Sequence, residues 1–194
     1  MKRKMTWLIL IPLVLTAFWF VSTSRAATET PEYKVIRTDG KIEIRDYTAL
    51  TIATTPMAED GMNGGFGQLF RFITGNNESK EKIEMTSPVL ITTAADKKTM
   101  SFIMPKGTAE KGVPKPAGET VTLGKLDAAR FVAWRFSGER STENEKAAIA
   151  AINAWLLEQK IEGKGQPMFA YYDPPWTPIP MRRNEVMIQI EKGE

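Results

Sequence analysis

The run Lys82-Ile83-Glu84-Met85-Thr86-Ser87-Pro88-Val89-Leu90-Ile91 places apolar side chains at Ile83, Met85, Val89 and Ile91 between polar ones. That alternation predicts a strand with one buried face, with Glu84 pointing away from the core. Pro88 has no amide hydrogen to donate, so it marks a bulge or an edge. Immediately upstream, Phe66, Leu69, Phe70 and Ile73 recur at i, i+3, i+4 and i+7, the buried stripe of a short helix. Gly75 and Asn76 follow as residues able to take the left-handed turn that ends a helix.

Working outward, Tyr33–Arg37 reads as a first strand, Asp39-Gly40 as a tight turn, and Ile42–Tyr47 as an alternating strand resumed through Leu50–Thr55. Thr99–Met104 is a further strand. Lys106–Gly118, rich in Gly and Pro, reads as a surface loop. The order then recurs: strands at Thr120–Leu123 and Arg130–Phe136, a helix, and strands at Phe169–Tyr172 and Glu185–Ile190. Thr142-x-x-Glu145 is a capping box for this second helix, whose stripe is Ala148, Ile149, Ile152, Trp155 and Leu156. Lys160 falls in its last turn and Gly163 beyond its end. Pro174–Pro180 is an extended strap with Trp176 in it.

This pattern predicts an α+β domain: a distorted antiparallel β-barrel with two external helices, built as a pseudo-twofold repeat of a ββαββ unit. Its 194 residues, 42% hydrophobic, are enough for one core.

The N-terminus differs from the rest. Lys2-Arg3-Lys4 precedes an apolar run from Trp7 to Val21, followed by Ser-Thr-Ser-Arg-Ala-Ala. Residues 1–26 therefore read as a signal peptide cut after Ala26 or, with the run extended by Trp19 and Phe20, as an N-terminal membrane anchor. The domain is residues 27–194. Both readings predict export, to a bacterial periplasm or to an inner membrane with the domain facing the periplasm. The formal charge of +3 rests on Lys2, Arg3, Lys4 and Arg25; removing these four positive charges leaves −1. A nearly neutral domain lacks the basic footprint of a nucleic-acid binder.

Two zeros narrow the chemistry: the chain has no His and no Cys. It therefore has no Ser-His-Asp triad, no HExxH zinc site, no imidazole to ligate haem, no thiolate nucleophile and no disulfide. No catalytic constellation and no metal site is expected. Ten Met residues show no clustered Met-x-x-Met and suit irregular core packing. Tyr171 and Tyr172 alternate across a strand, so one faces inward. Asn184-Glu185 beside Arg182 and Arg183 reads as a strand-start salt bridge.

From Tyr33 to Ile190 the chain resembles the SOUL haem-binding family. The resemblance rests on Ile42-Glu43-Ile44-Arg45-Asp46-Tyr47, Phe66-x-x-Leu69-Phe70-x-Phe72-Ile73-x-Gly75-x-Asn77, Lys82–Val89, Met100–Pro105, Tyr171-x-Asp173-Pro174-Pro175 and Arg182–Val186. It implies a fold related to GyrI-like effector-binding domains and a tetrapyrrole held non-covalently in an apolar groove beside the first helix. Carried onto this chain, the groove is Met57, Met62, Phe66, Leu69, Phe70 and Ile73, with Arg71 near the propionates. Where an axial His holds haem in part of the family, this chain has none, leaving Met thioether or Tyr phenolate as iron ligands. Haem or another tetrapyrrole is thus the implied cofactor, and a flat hydrophobic molecule the partner. Two other readings stand beside it: a haem-independent envelope interaction protein, and a His-free hydrolase using a pocket Glu and Tyr.

Overall fold

A computed structural model describes residues 28–57, 62–94 and 97–192. The expected signal peptide or anchor lies outside them, as does the side chain of Met62. Nine antiparallel strands form one sheet: β1 (Tyr33–Asp39), β2 (Ile42–Tyr47), β3 (Leu50–Pro56), β4 (Val89–Ala94), β5 (Lys97–Ile103), β6 (Thr122–Leu126), β7 (Ala129–Phe136), β8 (Gly163–Tyr171) and β9 (Asn184–Ile190). Among the described residues three helices accompany them: α1 (Met62–Ile73), α2 (Lys106–Lys111) and α3 (Thr142–Glu158). The short α2 lies where a loop was expected.

The strand order β1-β2-β7-β9-β8-β4-β5-β3-β6 is symmetric about the β8–β4 pair once β1 is set aside. Each half is a ββαββ unit: β2, β3, α1, β4, β5 and β6, β7, α3, β8, β9. Each unit lends its first strand to the other, β2 pairing with β7 and β6 with β3. The expected repeat is present, but its first unit begins at β2; β1 is an added hairpin strand.

The expected barrel is corrected to a curled, open sheet, because β1 and β6 remain edges with no ladder between them. Closure needs every strand paired on both sides. Here β1 is bulged between Val35 and Arg37 and exposes Lys34, Arg37 and Asp39, while the five-residue β6 exposes Gly124 and Lys125. Charged, irregular edges of this kind resist further pairing.

The outer face packs under the helices. Ile42, Ile44, Val132, Val186 and Ile188 meet Ala148, Ile152, Trp155 and Leu156 of α3. Ala53, Ile91, Met100 and Phe102 meet Leu69, Phe72 and Ile73 of α1. Among the described residues no helix packs on the inner face; the curl brings Tyr47, Leu90, Ile103, Phe131, Met168 and Met187 from both halves together.

The stretch around Met85 differs from expectation. Only Val89–Ala94 is strand, and residues 80–85 belong to no ladder, with Lys80 in the left-handed region at φ 54°. The buried Thr86 and Ser87 act instead as a tie. Thr86 Oγ1 donates to the Ile103 carbonyl at 2.5 Å, and the Ser87 amide donates to the Glu29 carbonyl at 2.8 Å. Ser87 Oγ donates to the Tyr172 carbonyl at 3.2 Å. Glu84 is exposed, as expected.

Helix ends follow local chemistry. After α1, Gly75 at φ 115° turns the chain, and the Asn76 amide donates back to the Arg71 carbonyl at 2.9 Å, a glycine C-terminal cap. The buried Asn77 then donates to Phe72 and Glu81 carbonyls and accepts from the Glu81 amide. The cap of α3 is Ser141, whose Oγ accepts the Asn144 amide, one residue before the expected capping box. Glu145 is freed for Arg140 and Tyr171.

Candidate functional site

The structure divides the residues the sequence singles out. Leu69 and Ile73 are buried with Phe72 against the sheet. Phe66 and Phe70 sit 39% and 46% exposed on the flank of α1. Their rings stack at 5.8 Å and 15°, and Phe66 meets Phe102 edge-on at 5.3 Å. Arg71 is exposed beside them, and Met57 packs against the core under the helix. The buried stripe is therefore Gly65, Leu69, Phe72 and Ile73. A hydrophobic count passes over its first member, because glycine adds no apolar side chain. A Cβ on Gly65 would lie 3.5 Å from Met57 Cγ and 3.6 Å from Met100 Cβ, ordinary contacts that place this position on the sheet-facing side of α1, with Phe66 and Phe70 on its flank.

Inside the curl the free space is about 10 Å³, lined by Tyr47, Leu90, Ile103, Phe131, Met168 and Met187 among others. That is room for about one water molecule. A tetrapyrrole has no place there.

At one end of the inner face lies a buried ion cluster, larger than the strand-start salt bridge expected at Asn184-Glu185. Glu185, fully buried, accepts from Arg45 Nη1 and Nη2 at 2.6 and 3.0 Å. It also accepts from Arg183 Nε and Nη2 at 2.9 and 2.7 Å and from the Tyr172 hydroxyl at 2.9 Å. Arg45 reaches Glu43 at 2.7 Å and Tyr47 at 3.3 Å. Its guanidinium lies 4.5 Å from the Tyr33 ring centroid, and that of Arg183 lies 3.9 Å from that of Tyr172. The missed partner, Arg45, is 140 residues away in sequence; only the alternation of β2, which puts Arg45 with Tyr47 on the inner face, hinted at it.

Burial opposes ionisation of Glu185, but the hydrogen bonds and charges of Arg45 and Arg183 outweigh it and hold its pKa below the ordinary carboxylate value. Five donors occupy its two oxygens. The carboxylate is structural in form, with no lone pair turned toward a substrate, which counts against its use as a hydrolytic base.

The tyrosines divide as alternation predicts. Tyr172 faces inward to Glu185, and Tyr171 faces outward, donating to Glu145 at 2.6 Å. Burial first, then the neighbouring carboxylate, raises both hydroxyls above the ordinary tyrosine value; Tyr47, also buried, is pushed up to about 12. The Tyr171 and Tyr172 hydroxyls are thus engaged by Glu145 and Glu185 rather than turned out toward a ligand. Among the described residues no group of three or more Asp and Glu is placed to hold a metal ion.

A second surface feature is an open cleft of about 340 Å³ between the end of α3 and the start of β8, lined by Leu156, Leu157, Ile161, Pro167 and Ile188 among others. It contains no aromatic ring.

Comparison with known proteins places the chain. Residues 28–189 match the family model described as SOUL heme-binding protein. A search of curated protein sequences returned no match. Among solved structures, the EcmrR C-terminal domain is similar with TM-score 0.58 at 10% identity, covering 83% of this chain and 99% of that one. A hydrolase from Listeria innocua is similar with TM-score 0.55 at 10% identity, covering 80% and 94%. EcmrR in a DNA complex with RPo gives TM-score 0.57 at 9% identity, covering 97% and 70%. At such identities the likeness is one of fold.

Proposed function

From the premise that the chain belongs to the SOUL haem-binding family, we propose that it binds haem or a similar tetrapyrrole non-covalently on the α1 face, without His ligation. The observation that carries this reading is the stacked, half-exposed Phe66–Phe70 pair on that helix, set against an inner cavity of about 10 Å³. Two parallel rings on a rigid helix offer a flat apolar surface. Covering them gains roughly 25 cal/mol per Å² of apolar area removed from water. Arg71, one residue on, is within reach of a propionate at the rim. The Met57 and Met62 positions border the same end of the helix.

Binding here is ring burial with the iron left to solvent or to a small exogenous ligand. The N-terminal run supports export, so the ligand would be met in the periplasm or at the outer leaflet of the inner membrane. The near-neutral domain argues against nucleic acid as its partner.

The test is a haem titration followed by Soret absorbance and by calorimetry, with Phe66→Ala/Phe70→Ala as the comparison. Saturable one-to-one binding, weakened tenfold or more (about 1.4 kcal/mol or more) in the double variant, supports the reading. Affinity unchanged in a folded double variant removes the α1 face. No saturable binding favours the envelope interaction protein.

A further inference from the structure

The strap between β8 and β9 exposes what a soluble domain normally hides. Trp176 is 72% exposed and Ile179 45%, while Thr177 between them is buried. This exposure is built in. Arg182 Nη2 donates to the Pro175 carbonyl at 2.5 Å and its Nε to the Thr177 carbonyl at 2.9 Å, clamping the residues on either side of Trp176. The Thr177 amide donates to the Pro174 carbonyl and the Met181 amide to the Pro178 carbonyl, and the Arg183 amide is held by Asp173. A rigid turn thus holds an indole and an isoleucine out into solvent.

The strap also has a particular place. Described structure starts at Thr28, and Glu29 is pinned at once. Its backbone bridges Thr86, its carbonyl accepts the Ser87 amide at 2.8 Å, and its carboxylate accepts the Lys106 amide at 2.8 Å. Ser87 in turn donates to the Tyr172 carbonyl, directly before the strap. Two hydrogen bonds therefore connect the point where the N-terminal segment joins the domain to the base of the Trp176 turn. The apolar run Trp7–Val21 ends only seven residues before Thr28. A segment that short cannot lift this end of the domain far from a bilayer that holds the run. The opposite end of β8, at Gly163, is about 25–30 Å away along the strand.

We propose that the Trp176–Ile179 strap is a lipid-contact element, seating the domain on the surface of the membrane that retains residues 7–21. Tryptophan favours the boundary between headgroups and acyl chains, where its ring is buried and its N–H stays wet. Lys106 and Arg182 at the same end suit anionic headgroups. The arrangement weighs for the anchor reading of the N-terminus over cleavage.

The chain has no cysteine, so one introduced thiol takes a fluorescent label alone. The full chain is placed in vesicles of phosphatidylethanolamine and phosphatidylglycerol containing a nitroxide-labelled lipid, with the label at Lys106→Cys or, at the far end, Glu162→Cys. Quenching at 106 several-fold above that at 162 is expected. A several-fold fall at 106 in Trp176→Ser/Ile179→Ser, with Trp176→Phe retaining the signal, is expected if the strap holds the domain down. Signal at 106 that survives the double substitution means the tether alone sets the distance and overturns the proposal. Equal quenching at both positions, or a chain that leaves the vesicles, overturns it too. Melting followed by circular dichroism checks that the variants are folded.

Discussion

The two ββαββ halves share one topology and diverge in what they put on each face. A single cross-strand row runs over the inner face through Thr54, Ser101, Leu90, Ala170, Glu185 and Arg135. Leu90 and Ala170 meet at the seam. Beyond Leu90 the row is neutral, with the Ser101 and Thr54 hydroxyls 2.8 Å apart. Beyond Ala170 it is ionic, with Glu185 carrying Arg45 and Arg183. On the outer face the contrast reverses. The first half presents aromatic rings on α1; the second presents α3, with Leu157 80% exposed beside an aliphatic cleft. Duplicate frames thus leave side chains free to specialise, with ion pairing in one half and a flat aromatic surface in the other.

The largest effect should separate the two ends of that row. Glu185→Ala leaves the buried Arg45 and the half-buried Arg183 without their shared carboxylate and should cost about 3–5 kcal/mol in urea unfolding. Ser101→Ala, which leaves one hydroxyl without its partner, should cost about 1 kcal/mol. Comparable losses would mean that the ionic end is no more committed than the neutral one.

The same group sets the acid limb of stability. Because the folded pKa of Glu185 is depressed from 4.5, its stabilisation is complete above about that value and is lost as pH falls through the folded pKa. Melting temperature should therefore drop more steeply on acidification in the parent than in Glu185→Gln. At the alkaline end the sign is opposite. Tyr47, raised from 10.0 to about 12, favours the folded state below pH 10, and that share is lost as pH rises toward 12.

The halves also differ in how tightly their glycines are used. A Cβ on Gly163 would fall 2.8 Å from Ile188 Cγ2, so Gly163→Ala should cost about 1–3 kcal/mol through overpacking. Gly65→Ala meets only ordinary contacts in the middle of a helix and should gain up to about 1 kcal/mol. Thermal melts of the pair check both signs.

The smallest effect on stability should be the most informative for ligand binding. Phe70→Ala and Leu157→Ala both trim exposed side chains, and each should change unfolding by no more than about 0.5 kcal/mol. Only Phe70→Ala should weaken haem binding, read by the Soret titration. Equal weakening would mean that the ligand does not distinguish the halves.

Much of this was legible along the chain. Alternation in β2 and β9, the i, i+3, i+4 stripe of α3 and the Gly75 turn are local patterns, decided by where apolar side chains and left-handed residues fall. They determined the α+β class, the repeat, both long helices and, with the matched motifs, the family. The missing His and Cys determined which chemistry was closed to it. Long-range geometry settled the rest. Whether β1 and β6 meet depends on the curl of the whole sheet, so the barrel became an open sheet. That Thr86 and Ser87 serve as a tie follows from partners at Glu29, Ile103 and Tyr172, distant in sequence. Which of Phe66, Leu69, Phe70 and Ile73 face out depends on how α1 seats against Met57, Met100 and Phe102 of the sheet side. The Glu185 cluster exists because β2 and β7, from different halves, carry Arg45 to within reach of a strand that starts 139 residues later. Periodicity specifies which face of an element is apolar; only the packed sheet specifies what that face meets.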